Sequence, residues 1–289
     1  MRIFTAAAAF AVLFSPALYA DFGYEMRTGI SGGIRAKVPA VTRLIKDQRL
    51  ASYSKDHDTV VNLQYGTIYE IDFRKKTYFS LTFAQMKETI EGELKNAPAF
   101  EVATQSGGTR SLGILTAREQ LVRMTGPPSL ARVFLDYWTS TPPGFREVQE
   151  FQQQLAAKLG YAYAFGWEDV ARIDDKLYAG FEQAARILIQ SEEMPVELTV
   201  RMGEAAVGDL APPSDSARPG FVGGAVNRVE NLAHRKKSGA AGDRPGLLAE
   251  VSVEFGAFSA GPADESKFNV PGGFKEIKPA AGPNRKESQ

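Results

Sequence analysis

Apolar and polar residues alternate along several short stretches of the chain. Tyr24, Met26, Thr28 and Ile30 alternate with Glu25, Arg27 and Gly29, and Tyr69, Ile71 and Phe73 alternate with Glu70 and Asp72. Val196, Leu198, Val200 and Met202 alternate with Glu197, Thr199 and Arg201, and Ala249, Val251, Val253 and Phe255 alternate with Glu250, Ser252 and Glu254. A period of two is that of a half-buried strand. Further strands are expected at 41–46 and 48–54 around Asp47, at Thr77–Leu81, and at 100–104, 112–118, 120–125 and 131–138. In the last of these, Val133, Leu135 and Tyr137 face one way and Phe134 and Trp138 the other, the composition of a strand covered on both sides. Gly107-Gly108 and Gly126-Pro127-Pro128 separate some of these runs.

Three stretches change to helical spacing. Phe83, Met86, Ile90 and Leu94 form one apolar stripe, started by Thr82 as N-cap with Gln85 completing a capping box. Leu81 and Met86 occupy the positions of a hydrophobic staple around that cap. Phe145, Val148, Phe151, Leu155 and Leu159 mark a second helix closed by Gly160. Leu177, Phe181, Ala184 and Leu188 mark a third, from about 174 to 190, and an aromatic passage at 161–167 lies between them. Asp72 is placed to accept hydrogen bonds from the backbone of the Arg74-Lys75-Lys76 turn, which makes that basic cluster a solvated hairpin tip.

Composition divides the 289 residues further. Residues 1–20 carry Arg2, a short apolar run from Ile3 to Phe14 and the Leu18-Tyr19-Ala20 sequence, the layout of a signal peptide cleaved near Ala20, with Ala17 an alternative. Residues 21–202 form the main part of one domain. Residues 203–247 shift to Gly, Ala and Pro and are expected to be a mobile insertion, in which Val226, Val229 and Leu232 precede the basic run His234-Arg235-Lys236-Lys237. Residues 248–278 return to the domain as closing strands, and 279–289 are expected to be a disordered tail. No later run is long and apolar enough to span a bilayer, so no transmembrane anchor is expected.

Charge is balanced, with 34 basic and 34 acidic residues, and this argues against a nucleic-acid partner. With no cysteine there is no disulfide and no thiolate metal site. The chain has no Gly-x-Ser-x-Gly elbow, no phosphate-cradling glycine loop and no His-Glu-x-x-His. Its two histidines, His57 in the polar 55–58 turn and His234 in the insertion, lack the rigid setting of a triad. Asp56, His57 and Asp58 are adjacent on an extended chain and point to opposite faces, which suits no metal. Asp174-Asp175 caps a helix, while Glu192-Glu193 sits near a helix C-terminus, where the dipole disfavours it. The expectation is a protein without catalytic residues, metal or cofactor; a hydrolase using His57 or the Asp174-Asp175 pair is the enzymatic alternative.

The passage Asp72-x-x-Lys75-Lys76-Thr77-Tyr78, followed by Thr82-Phe83-x-x-Met86, resembles a family of exported bacterial proteins that contains a domain of unknown function. That family is similar to the LolA and LolB lipoprotein carriers. Trp138 with Pro143-Gly144-Phe145 and Phe151, Met194-Pro195-Val196 leading to Arg201-Met202-Gly203, and Phe268, Val270, Pro271, Gly273, Phe274 and Lys275 fit the same resemblance in the same order. It implies an α+β fold: a strongly curved antiparallel sheet, an incomplete barrel, with two or three helices on its concave side. The chain departs from the carriers in its 203–247 segment and in having no cysteine for a lipid anchor.

In carriers of that shape the concavity receives acyl chains. The resemblance then implies an exported, periplasmic or secreted protein that binds a lipid or a lipoprotein acyl chain, lined by Ile71, Phe79, Phe83, Met86, Val148 and Phe151. The same six residues equally suit a filled core, and the alternative is a structural module of the envelope that contacts another envelope protein and holds no ligand.

Overall fold

The computed structural model describes residues 21–32, 40–166, 175–203 and 247–278. The expected signal, all but the first and last residues of the 203–247 segment, the tail, Asp174 and His234 lie outside the described residues.

Twelve strands form one sheet. In chain order they are β1 (Phe22–Gly32), β2 (Val41–Lys46), β3 (Arg49–Tyr53), β4 (His57–Asn62), β5 (Thr67–Asp72), β6 (Thr77–Thr82), β7 (Glu101–Leu112), β8 (Leu115–Thr125), β9 (Arg132–Ser140), β10 (Met194–Gly203), β11 (Leu247–Ala260) and β12 (Lys275–Glu276). Their order across the sheet is β12-β6-β5-β4-β3-β2-β1-β11-β10-β9-β8-β7, antiparallel throughout except where β12 lies parallel to β6. The helices are α1 (Phe83–Leu94), α2 (Phe145–Leu159), the five-residue α3 (Tyr161–Phe165) and α4 (Tyr178–Leu188), the last preceded by a 3-10 turn at Asp175–Leu177. The α+β class and the mostly antiparallel sheet therefore stand, and the sheet is not closed into a barrel: β12 and β7 are its two separate edges.

The sheet bends around its helices. Helix α1 leaves β6 directly and packs on α4, and α4 lies on β7 and β8. On a flat sheet β6 and β7 would stand ten strand spacings apart, about 48 Å at the usual interstrand distance. Two helices in contact, each about 10 Å across, bridge that gap only if the sheet curls towards them.

The face enclosed in this way, the front, is packed. Phe22, Tyr24, Ile45, Ile68, Leu135, Tyr137, Leu198 and Val251 from the strands join Val148, Phe151, Leu155, Phe181 and Leu188 from the helices in one buried cluster. Local signals set the helix that starts this packing. Thr82 accepts from the Gln85 backbone N–H, and the Gln85 side chain accepts from the Thr82 N–H at 2.8 Å, the reciprocal capping box.

Several expected elements have different limits. The four strands expected between 100 and 138 are three longer ones, because Gly107-Gly108 forms a bulge inside β7 and the actual turn is Gly113-Ile114. Part of the expected aromatic passage is helix α3, making four helices among the described residues where two or three were expected. His57 and Asp58, placed by the sequence in a polar turn, begin β4. The 131–138 strand is covered on both faces as expected: Val133 to Ser140 are all buried.

The opposite face, the back, is covered in pieces. One piece is the chain's own C-terminal segment. Asp21 accepts from the Ala263 N–H at 2.6 Å and from Lys46 at 3.2 Å. Arg49 donates both terminal nitrogens to the Glu265 carboxylate, at 2.9 and 3.0 Å, and its guanidinium lies 4.9 Å over the Phe268 ring. Phe268 closes a small cluster with Ala51, Val60 and Ile71, and the segment ends as β12 against β6. This accounts for the closing motif seen in the sequence: Phe268, Val270 and Phe274 all pack on the back of β2 to β6.

Candidate functional site

The six residues singled out as a ligand lining do not share one space. Val148 and Phe151 are buried in the front core, and Phe83 and Met86 pack against its margin. Ile71 faces the other way, under Phe268 in the back cluster. Phe79 stands opposite Glu70 on β6 and belongs to neither cluster. The reason is the pleat: Ile71 pairs directly with Tyr78, so Phe79, the next residue, points to the opposite face.

A cavity of about 540 Å³ lies instead on the back, over β1, β10 and β11. Its roof is the tip of the β7–β8 hairpin, with Leu112, Ile114 and Leu115, and Pro143, Val196 and Phe258 add apolar wall. Three irregularities in the sheet build it. The bulge at Gly107-Gly108, where the Gly108 N–H donates to Glu119 at 3.0 Å, interrupts the β7 ladder below the tip. Arg110, beyond that bulge, stacks its guanidinium 3.9 Å over the Trp138 ring on β9 and pairs with Glu197 on β10, three strands from its own, which fixes the hairpin over the back face.

The other two bulges re-aim side chains. In β10 the register shifts between Pro195 and Glu197, so Val196 leaves the front set of Leu198, Val200 and Met202 and joins Ala117 and Trp138 on the back. In β11 it shifts opposite Gly23 and Glu25, around Ala257 with φ 50°, and Phe258 comes to pack beside Val196's cluster. The strict alternation read from 196 to 202 is therefore broken at its first residue. An extra residue in one strand bends it and turns side chains, an effect common beside functional sites.

The cavity floor is ionic. Arg27 on β1, Glu254 on β11 and Glu197 on β10 stand directly opposite one another in a row across three strands. Glu25 pairs with Arg27 at 3.0 Å and lines the same space. Among the described residues the space thus has an apolar roof and a floor that carries Glu25, Arg27, Glu197 and Glu254.

Glu193, Asp72 and His57 do not line this cavity. Glu193 accepts from the Thr139 hydroxyl and pairs with Arg118 at 3.2 Å, which explains a carboxylate that the helix dipole alone disfavours. The Tyr137 phenol is fully enclosed, and burial, with Glu193 nearby, pushes its pKa well above the usual value. Asp72 accepts from the Lys75 N–H at 2.9 Å and pairs with its ammonium at 3.0 Å, as the turn chemistry predicted. Its pKa is held down by those contacts. His57 is exposed at the end of β4, opposite Asp72. Among the described residues no cluster of three or more His, Cys, Asp or Glu side chains has metal-binding geometry, and no helix is long and apolar enough to cross a membrane.

The sequence carried one overlooked signal for this site. Leu112-Gly113-Ile114-Leu115 has glycine in the first position of a two-residue turn, where φ is +61°, and no polar side chain.

No protein family and no curated protein matches the chain. Solved structures of PNGF-II in P21 and C2 crystal forms align with 90% of it, at 8% and 10% identity and TM-scores of 0.31 and 0.30. The chain spans about a third of the length of those proteins, 32% and 31%. A superposition at that level carries no argument about fold or function.

Proposed function

We propose that the protein is an exported binding protein of the general kind that the lipoprotein carriers represent, taking the apolar part of a lipid or lipoprotein in the back-face cavity. The observation that carries this reading is the cavity itself: about 540 Å³ beneath an apolar hairpin tip, within the size range of small-molecule sites. The front supports it by contrast. Its strand and helix side chains fill one another's space, so the half-barrel interior suggested by the resemblance is core and the ligand belongs on the other side.

Titration of the full chain with the uncharged fluorophore N-phenyl-1-naphthylamine tests it. Saturable enhancement at one site per chain is expected. Pro143→Trp, an exposed position on the cavity wall, should weaken it by roughly tenfold, the loss of one well-packed apolar contact. No saturable signal, or one that ignores Pro143→Trp, refutes the reading. Export is checked separately: the intact mass of the secreted product should correspond to a chain beginning at Asp21.

One observation favours a second reading, an envelope interaction module. Among the described residues no strand lies beside the β7 edge, and Ala103 to Thr109 are all exposed. Such an edge is a template for strand addition by a partner. Thr104→Pro would then abolish partner capture, and unchanged capture would remove the edge from consideration.

A further inference from the structure

We infer that the fork between β10 and β11 is a docking site for an extended peptide of a partner protein, added as a strand along residues 255–260 of β11 with its apolar side chains under the β7–β8 hairpin tip. The apolar-ligand reading above uses the same roof but not the β11 backbone, so the two can fail separately.

The register makes the fork. The β10–β11 ladder ends at the Glu197–Glu254 pair. Past that pair each strand keeps to its other neighbour. Pro195 and Met194 follow β9, opposite Thr139 and Ser140, while β11 follows β1 as far as the Phe22–Ala260 pair. A bulge stands on each side of the parting, at Val196 in β10 and around Ala257 in β11. Bulges end pairing and bend a strand away from its neighbour. Among the described residues no strand takes the place that β10 has left beside residues 255–260. The space there is open: Gly256, Ala257, Phe258 and Ala260 line the cavity on one side of the fork, and Val196 and Glu197 on the other. A Cβ built on Gly256 would meet nothing within 4 Å.

The backbone of β11 faces this space in ladder geometry. The Gly261 N–H donates to the Asp21 carbonyl at 3.0 Å, so Phe22–Ala260 is a non-hydrogen-bonded pair of the alternating ladder. The N–H and C=O of Ala260 therefore point away from β1, into the fork. Backbone groups along such an edge are a template for a further strand. An alkyl chain has no donor or acceptor for them, whereas a peptide backbone has both. On the other side of the fork Pro195 has no N–H, the residue type that sheets confine to edges and bulges, so the guest pairs with β11. Leu112, Ile114 and Leu115 roof the same space, and Ile114 is 95% exposed. Every second side chain of a guest strand would turn towards that roof, and six residues of strand extend about 20 Å.

A fluorescein-labelled, capped heptapeptide alternating valine with threonine tests this on the full chain by fluorescence anisotropy. Saturable binding is expected, and the same peptide with its amides N-methylated should bind more than about tenfold more weakly, the scale of two lost hydrogen bonds. Ala260→Pro removes a donor that faces the fork and should weaken the peptide about fivefold, with the thermal midpoint in place because that N–H is not part of the β1 ladder. Ile114→Ser should weaken it about tenfold through the roof. N-methylation probes the wild type, so it decides the case whatever Ala260→Pro does to folding. No saturable binding, or equal binding of the N-methylated peptide, overturns the inference. So does binding that is lost in Thr104→Pro and unchanged in Ala260→Pro, which places the peptide on the β7 edge. Peptide binding by a chain that gives no saturable signal with N-phenyl-1-naphthylamine upholds the fork and removes only the apolar ligand, and the converse removes only the fork.

Discussion

The two faces of the sheet are built on different principles. The front is one continuous cluster in which strands and helices from nearly the whole chain meet. The back is divided into a small cluster under Phe268, another around Trp138 and Val196, and a cavity with a charged floor beside the second. The same strands serve both faces, since alternate residues of β10 and β11 point each way. The front thus fixes where the back-face residues stand, and the back is free to carry groups that contribute little to stability. The bulge at Val196 turns an apolar side chain from the front to the back, and Phe258, beside the bulge in β11, packs against both clusters.

The contrast is broken most severely from the front. Phe181 is fully buried where α4 meets the core, and Phe181→Ala should cost about 3–5 kcal/mol in urea unfolding, a large share of a typical domain's stability. Phe268→Ala on the back should cost about 3 kcal/mol or less, because its cluster is small. Its signature is local: hydrogen exchange should accelerate at Lys275 and Ile277, whose N–H groups donate to Lys76 and Tyr78 at 3.0 and 2.8 Å, before the front core opens. Equal loss of protection on both faces would show that the back segment and the front core unfold as one unit.

Ionic contacts on the back give smaller, pH-dependent effects of opposite sign. The Glu265 carboxyl is held below its ordinary value of 4.5, chiefly by the hydrogen bonds from Arg49. A lowered folded pKa contributes stability that is present above the unfolded value and lost as pH falls through the folded one. Glu265→Gln should therefore flatten the decline of stability below about pH 4.5. Asp58 runs the other way: burial raises its pKa above 3.8, with Lys267 only partly offsetting this. Its contribution is present below pH 3.8 and lost as pH rises through the raised value, so Asp58→Asn should stabilise at pH 7 and not at pH 3. Smallest of all is Ile114→Ser, which should leave urea stability within about 0.5 kcal/mol because the side chain is 95% exposed.

Features encoded by neighbouring residues were legible in the sequence. The Thr82–Gln85 capping box, the Asp72 turn and the doubly covered strand at 131–138 depend on residues a few positions apart, and all three appear as read. Features that depend on a distant strand were not. Gly107-Gly108 has the composition of a turn, and only its partner β8 makes it a bulge. Val196 fits the alternation of its own strand, and only its register with β9 turns it to the back. The six lining residues were chosen by hydrophobicity, which does not say to which face a strand presents a residue. One step along the pleat separates Ile71's partner Tyr78 from Phe79. The cavity was illegible for the same reason, since its walls come from residues more than two hundred positions apart in the chain.

The seam between β1 and β11 has a further consequence, for synthesis. Phe22 pairs with Ala260 and Gly32 with Ala249, so among the described residues the β2–β6 half joins the β7–β10 half through two strands more than two hundred residues apart. The two sides of that junction are made more than two hundred residues apart, and closing so long a loop opposes folding until both are present. The sheet therefore completes only after β11 has been made.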